Sequence, residues 1–167
     1  LNNPVIRSLE LNKIFTSPWW PGETNLGLFR PVTTFTFALN YALHGLDPFG
    51  FHLFNLMLHL LNGAMVFWIS LKILDYYPAA AVTSLVFVLH PAQIEAVNGL
   101  VGRAELLSGF WVLLGWVLYV AASLSAPNRQ KTLYWCSLVA AFIACLCKEH
   151  GVVLFGIIAL YDVLLRL

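Results

Sequence analysis

Apolar residues in this chain gather into long runs, each about as long as the roughly 20 residues a helix needs to cross a bilayer. The pattern predicts spans over residues 50–73, 79–97 with Pro91 inside, 104–124, 132–147 and 151–167. Residues 29–43, FRPVTTFTFALNYAL, make a shorter run in which Arg30, three threonines and Asn40 interrupt the hydrophobes, which predicts a re-entrant or interface-lying helix. Residues 1–28 carry NNP, SPWWPG and several charges and read as loop, with no signal-peptide n-region. The chain is therefore expected to begin outside the membrane and to stop inside a helix, as a truncated polytopic protein would. No repeat, low-complexity segment or linker divides it, so the expected fold is all-α, one transmembrane helix bundle over residues 1–167.

Composition agrees. Hydrophobic residues make up 60% of the chain and charged residues 10%, with a mean hydropathy of +0.79, whereas soluble domains carry about 25% charged residues. A net charge of +1 and the lack of any Lys/Arg run give no electrostatic footprint for nucleic acid. That leaves the bilayer, protein or lipid-borne molecules as partners. Cys136, Cys145 and Cys147 all lie in or at the edge of one apolar run, which reads as small hydrophobes in a helix rather than a disulfide framework or a metal site.

If the spans alternate in direction, residues 1–49, 91–103 and 148–150 share one face of the membrane and residues 72–78 and 125–131 the other. The cations divide five to four: Arg7, Lys13, Arg30, Arg103 and Lys148 against Lys72, Arg129, Lys131 and Arg166. That is too even for the positive-inside rule to orient the chain. The acids divide unevenly, with Glu10, Glu23, Asp47, Glu95, Glu105 and Glu149 on the first face and Asp75 and Asp162 on the second. His44, His52, His90 and His150 join the first face. Ionisable groups at a bilayer edge are costly and face a cavity or a partner, so this face is expected to hold a site. On the first span His52, Asn55, His59 and Asn62 follow one side of the helix. They either hydrogen-bond to neighbouring helices or line a substrate cavity.

The connector HPAQIEAVNGLVGRAELL, residues 90–107, concentrates the chemistry. Pro91 removes a backbone donor and bends or ends the second span, and Gly102 to Glu105 opens the next. A helix start offers free N–H groups and positive dipole to an anion, and Arg103 adds a fork that suits phosphate. Taken alone, Arg103 could equally snorkel to the interface and Glu105 could simply favour a first helical turn. Grouped with Lys148, Arg30 and Glu149 on one face, they suit a substrate that carries phosphate at the membrane surface.

The pieces NNPVIRSL, FRPVTTFTFALNYALHGLDPFGFHLFNLMLHLLN, HPAQIEAVNGLVGRAELLSG and CKEHGVVLFGIIALYDVLL, in this order, closely resemble the membrane region of the transmembrane and tetratricopeptide-repeat O-mannosyltransferase family and its prokaryotic relatives. The resemblance covers nearly the whole chain. It implies a polytopic glycosyltransferase of the GT-C class, in which a polyprenyl (dolichyl) phosphate-sugar is the donor substrate, the sugar is mannose, and a protein serine or threonine is the acceptor. Tetratricopeptide repeats that hold the acceptor follow the membrane region in that family. Arg30 then belongs to an RP(L/V)T element, His90 and Glu95 to HPxxxEAV, Arg103 and Glu105 to GR(A/K)(D/E)LL, and Lys148 and Glu149 to KE. In that family's topology all of them lie at the non-cytoplasmic face, which places residues 1–49 there as loop and interfacial helix.

The resemblance also implies a catalytic acid shortly before the NNP element, upstream of Leu1, so that this chain alone would transfer no sugar. Gln93 stands where the family more often has histidine and His150 where it often has glutamine, and neither is assigned a proton-transfer role. Sugar transfer needs a general base for the acceptor hydroxyl and cations for the departing lipid phosphate. The residues expected at the phosphate are Arg103, Lys148 and Arg30, while Glu95, Glu105, Glu149 and His90 would reach the sugar or hold a residue that does. The GT-C class admits a divalent metal, but the resemblance does not require one. Two rival readings are a transporter-like bundle, favoured by the His/Asn stripe and the break at Pro91, and a non-catalytic membrane anchor for a repeat domain. No Asn-x-Ser/Thr sequon occurs, which leans slightly towards a prokaryotic cytoplasmic membrane over that of the endoplasmic reticulum.

Overall fold

The computed structural model describes residues 3–19 and 28–165. Glu23 and Arg166, counted above on the two faces, and the last two residues of the final expected span lie outside them. Every regular element among the described residues is a helix. Two short helices, α1 (Pro4–Ser8) and α2 (Leu11–Thr16), precede α3 (Pro31–His44), α4 (Pro48–Leu74) and α5 (Tyr77–Leu89). A 3-10 turn (Pro91–Gln93) leads into the short α6 (Ile94–Asn98), followed by α7 (Arg103–Ser123) and α8 (Pro127–Cys147). A second 3-10 turn (Glu149–Val152) precedes α9 (Val153–Leu165).

Proline sets most of the helix starts. Pro31, Pro48, Pro78 and Pro127 stand in the first turns of α3, α4, α5 and α8, where φ is already helical and the missing N–H is not needed. At α4 the Asp47 carboxylate also accepts the Phe49 N–H at 3.0 Å, a cap that starts the helix just ahead of its apolar run. α8 likewise begins at Pro127, more than a turn before the hydrophobes at Thr132, and carries Arg129 and Lys131 in its exposed opening turns.

α4, α7 and α8 are long and apolar enough to cross a membrane, and α5 with the segment through Asn98 passes the same test as a pair bent by 46°. The fold is a polytopic transmembrane helix bundle. The bend has a local cause: His90 stands before Pro91 with φ −65° and ψ 130°, because the proline ring drives its predecessor out of the helical region. Lipid-facing surfaces remain apolar, as at Leu85, Val86, Leu138, Phe142 and Leu160.

Inside lipid, helices gain little from burying more hydrocarbon, so close approach and interhelical hydrogen bonds must hold them. Gly63 lies under Val88 and its carbonyl accepts the Ser84 hydroxyl at 2.8 Å. Gly115 lies under Leu154 and its carbonyl accepts the Ser137 hydroxyl at 2.8 Å. A Cβ at either glycine would strike the facing side chain. The polar stripe of α4 serves the same purpose. Asn55 Nδ2 donates to Val97 O and Gly99 O, both at 3.3 Å, His59 Nε2 to Val88 O at 3.0 Å, and Asn62 Nδ2 to Leu106 O at 3.1 Å. Of the two readings of that stripe, the contacts are those of packing, while His52 stands exposed.

α3 packs against the opening turns of α4, with Phe37 and Phe51 buried together beside Ile6 and Trp19. Val5 of α1 and Ile14 of α2 meet Ala38 on its outer side. Because a side chain at Gly115 would have to displace Leu154, Gly115→Val is expected to destabilise the bundle by about 1–3 kcal/mol, measured as a lowered melting temperature in detergent. An unchanged melting temperature would show that α7, α8 and α9 do not pack this closely.

Candidate functional site

Between α5 and α7 the connector folds back on itself. His90 Nδ1 accepts the Ala92 N–H at 3.1 Å, α6 ends at Gly99, and Gly102 N donates to Gly99 O at 3.1 Å. A Cβ at Gly102 would run into the Ala96 backbone and one at Gly99 into the Glu95 carbonyl. Glycine is needed at both places for close approach. The folded connector walls a cleft of about 490 Å3, with Gln93 and Glu95 on its first limb and Gly102 and Glu105 on its second. Both carboxylates are exposed.

Two ion pairs cluster beside this cleft. Lys148, which ends α8 in extended conformation, pairs with Glu105. Arg30, the residue that opens α3, grips Glu149 with Nη2 at 2.9 and 3.1 Å from the two carboxylate oxygens. The Thr33 hydroxyl donates to Cys147 O at 3.0 Å and so fixes the start of α3 against the end of α8. Glu149 is held below the usual carboxylate range by a hydrogen bond from its own backbone N–H and by Arg30 and Lys148. Burial lowers the Lys148 ammonium below the usual lysine value, with the Arg30 charge adding to the effect and Glu149 opposing it. Arg30 Nε is buried with no hydrogen-bond partner among the described residues.

Arg103 faces the other way. The side chain is fully buried and four of its five N–H donors are spent inside the bundle: Nε on Asn55 Oδ1 at 2.9 Å, Nη2 on Asn40 Oδ1 at 2.8 Å and on Phe51 O at 3.0 Å, and Nη1 on Thr36 O at 3.4 Å. Phe37, Phe54 and Phe51 surround the guanidinium at 4.3, 4.6 and 5.4 Å from their ring centres. Among the described residues no carboxylate pairs with it.

The structure thus brings together Glu95, Glu105, Lys148, Arg30 and Glu149 on one face, with His90 at the start of the cleft wall. It corrects the expectation for Arg103, which does not snorkel and lies buried inside the bundle rather than at the rim, with neutral acceptors taking four of its five N–H donors. Sequence reasoning missed the acceptors: Asn40 was visible only as a polar interruption, Asn55 only as part of a stripe, and the Thr36 and Phe51 carbonyls leave no trace in side-chain pattern. Among the described residues no three His, Cys, Asp or Glu side chains converge.

No protein-family model matches the chain, and no solved structure does. Curated relatives do. Protein O-mannosyl-transferase Tmtc3 of Drosophila melanogaster is 35% identical over 96% of the chain, protein O-mannosyl-transferase TMTC3 of Homo sapiens 32% over 97%, and protein O-mannosyl-transferase TMTC4 of Mus musculus 33% over 98%. The chain spans only 20%, 18% and 25% of the length of these three proteins. Aligned along nearly all of its own length, the chain belongs to the TMTC family of protein O-mannosyl-transferases.

Proposed function

We propose that this chain is the part of a membrane O-mannosyltransferase that holds a polyprenyl phosphate-mannose donor, with the carrier phosphate at Lys148 and Arg30 and the sugar in the cleft between Glu95 and Glu105. The observation that carries the reading is the placement of Lys148 against Glu105 on the cleft wall, with the Arg30–Glu149 pair beside it. Two cations at the ends of apolar helices meet a lipid-borne phosphate where the carrier's chain enters the bilayer, and the polar cleft beyond them offers carboxylates to sugar hydroxyls. The names of the relatives support mannose as the sugar and protein as the acceptor.

The chemistry asked of these residues is limited. An acceptor hydroxyl attacks the anomeric carbon, the bond from that carbon to the carrier phosphate oxygen breaks, and the electron pair leaves on the phosphate. Negative charge gathers there as the bond breaks, so Lys148 and Arg30 stabilise the transition state more than the bound donor. The hydroxyl proton goes to a base that the family resemblance sets upstream of this segment. The transporter reading keeps the break at Pro91 but loses the α4 stripe, whose Asn55, His59 and Asn62 are occupied in helix packing. The relatives compared are animal proteins, which lends nothing to the sequence's lean towards a prokaryotic membrane.

Titration of the full-length protein in lipid nanodiscs with dolichyl phosphate-mannose tests the reading. Lys148→Gln and Arg30→Gln are each expected to weaken donor binding about tenfold or more, since a charge-assisted hydrogen bond is worth about 1.5–3 kcal/mol. Wild-type affinity in both variants, or no binding by the wild type, would favour a non-catalytic anchor.

A pH series gives a second test. Because the Lys148 value is lowered, its ammonium is lost at a lower pH than an ordinary lysine's, so donor affinity is expected to fall early on the alkaline side. Lys148→Arg, whose guanidinium keeps its charge, should move that limb to higher pH. An alkaline limb at the same pH in both proteins would remove Lys148 from the site.

A further inference from the structure

We propose that Arg103 is a positioning residue, which sets the wall of the cleft through Asn55 without touching what the cleft binds. The link is a chain of two hydrogen-bonding steps. Arg103 Nε donates to Asn55 Oδ1 at 2.9 Å, and Asn55 Nδ2 donates onward to Val97 O and Gly99 O. An asparagine amide has one oxygen and one nitrogen end, and an Asn55 flipped the other way would set its oxygen against two carbonyl oxygens. The guanidinium, which can only donate, therefore selects the amide orientation that holds the wall.

On its far side the same guanidinium is anchored to α3 and α4 through Asn40, Thr36 and Phe51. The two carbonyls that Asn55 holds lie between Glu95 and Glu105, so their position fixes how far apart those carboxylates stand across the cleft. Among the described residues, Asn55 makes the only side-chain hydrogen bonds that tie residues 94–102 to another helix; the wall's own backbone bonds, such as Gly99 N to Glu95 O at 2.9 Å, are local. All the acceptors of Arg103 are neutral, and no carboxylate among the described residues competes with Asn55 for it. That leaves the amide as the route by which its orientation reaches the surface. The inference rests on the donor-binding reading only for what the cleft holds.

The test uses the full-length protein in nanodiscs and two substitutions that keep the interior polar. Asn55→Asp retains an oxygen for Arg103 and supplies it with a counter-ion, but lacks the Nδ2 donors to the wall; Arg103→Lys keeps the charge but, with one nitrogen in place of the fork, does not hold Asn55 and the α3 acceptors together. In both, amide hydrogen exchange over residues 94–102 is expected to rise about tenfold or more, while exchange within α7 and α8 stays as in the wild type. Affinity for dolichyl phosphate-mannose should fall in Asn55→Asp even at unchanged melting temperature. Wild-type exchange in the wall of Asn55→Asp would overturn the proposal, as would a rise spread evenly over α4, α7 and α8, which marks a merely structural residue. A loosened wall with unchanged donor affinity would also overturn it. Should the wild-type protein bind no donor, the function proposed above fails while the exchange result still decides the positioning.

Discussion

A buried guanidinium with no carboxylate partner among the described residues is the constraint around which this bundle is arranged. Taking a cation out of water carries a penalty of several kcal/mol even after relaxation, and in a membrane segment such charges turn inward towards partners. Arg103 meets that penalty with neutral groups: the Asn40 and Asn55 side-chain oxygens, the Thr36 and Phe51 carbonyls, and the faces of Phe37, Phe51 and Phe54. Arginine suits this role because its charge is spread over a planar fork with several donors and is weakly hydrated; an ammonium could satisfy fewer acceptors from one point. For the fork to be filled, α3, the first half of α4 and the start of α7 must converge. The polar residues of these otherwise apolar helices stand where that convergence needs them.

Charge is divided between this fixed interior cation and an edge where cations and carboxylates pair. Arg30 and Glu149, 119 residues apart in sequence, meet because α3 begins where α8 ends. Glu105 meets Lys148 because α7 begins at the same level. Each edge cation is thus held in place by a carboxylate that is itself exposed; in the proposed donor site an incoming phosphate would take over the cation and leave the carboxylate to water or to sugar hydroxyls. Arg103 has no such freedom, since withdrawing it would strand buried acceptors. A buried support thus stands behind an ion-paired rim.

Much of this was legible in the sequence, for identifiable reasons. Apolar run length announced α4, α7 and α8, and Pro91 announced the bend, because both depend on local chemistry. The gathering of Glu95, Glu105, Lys148, Arg30 and Glu149 on one face followed from alternating spans. The direction of Arg103 did not follow. One residue at a helix start reads as a phosphate ligand or as a snorkelling cation, and its burial is decided by Asn40, Asn55 and two backbone carbonyls that lie some 50 to 70 positions away. For the same reason the α4 stripe was ambiguous between packing and lining: its partners, Val88, Val97, Gly99 and Leu106, use main-chain oxygens that side-chain pattern does not display.

The central claim is a division of labour, with carrier phosphate held at the rim by Lys148 and Arg30 while Arg103 supports the wall from within. A density map of the full-length protein bound to dolichyl phosphate-mannose tests it most directly. The account predicts phosphate oxygens within hydrogen-bonding distance of Lys148 Nζ, the sugar between Glu95 and Glu105, and Arg103 still bonded to Asn40 and Asn55. A phosphate seated on the Arg103 guanidinium, or at the opposite membrane face, would contradict it.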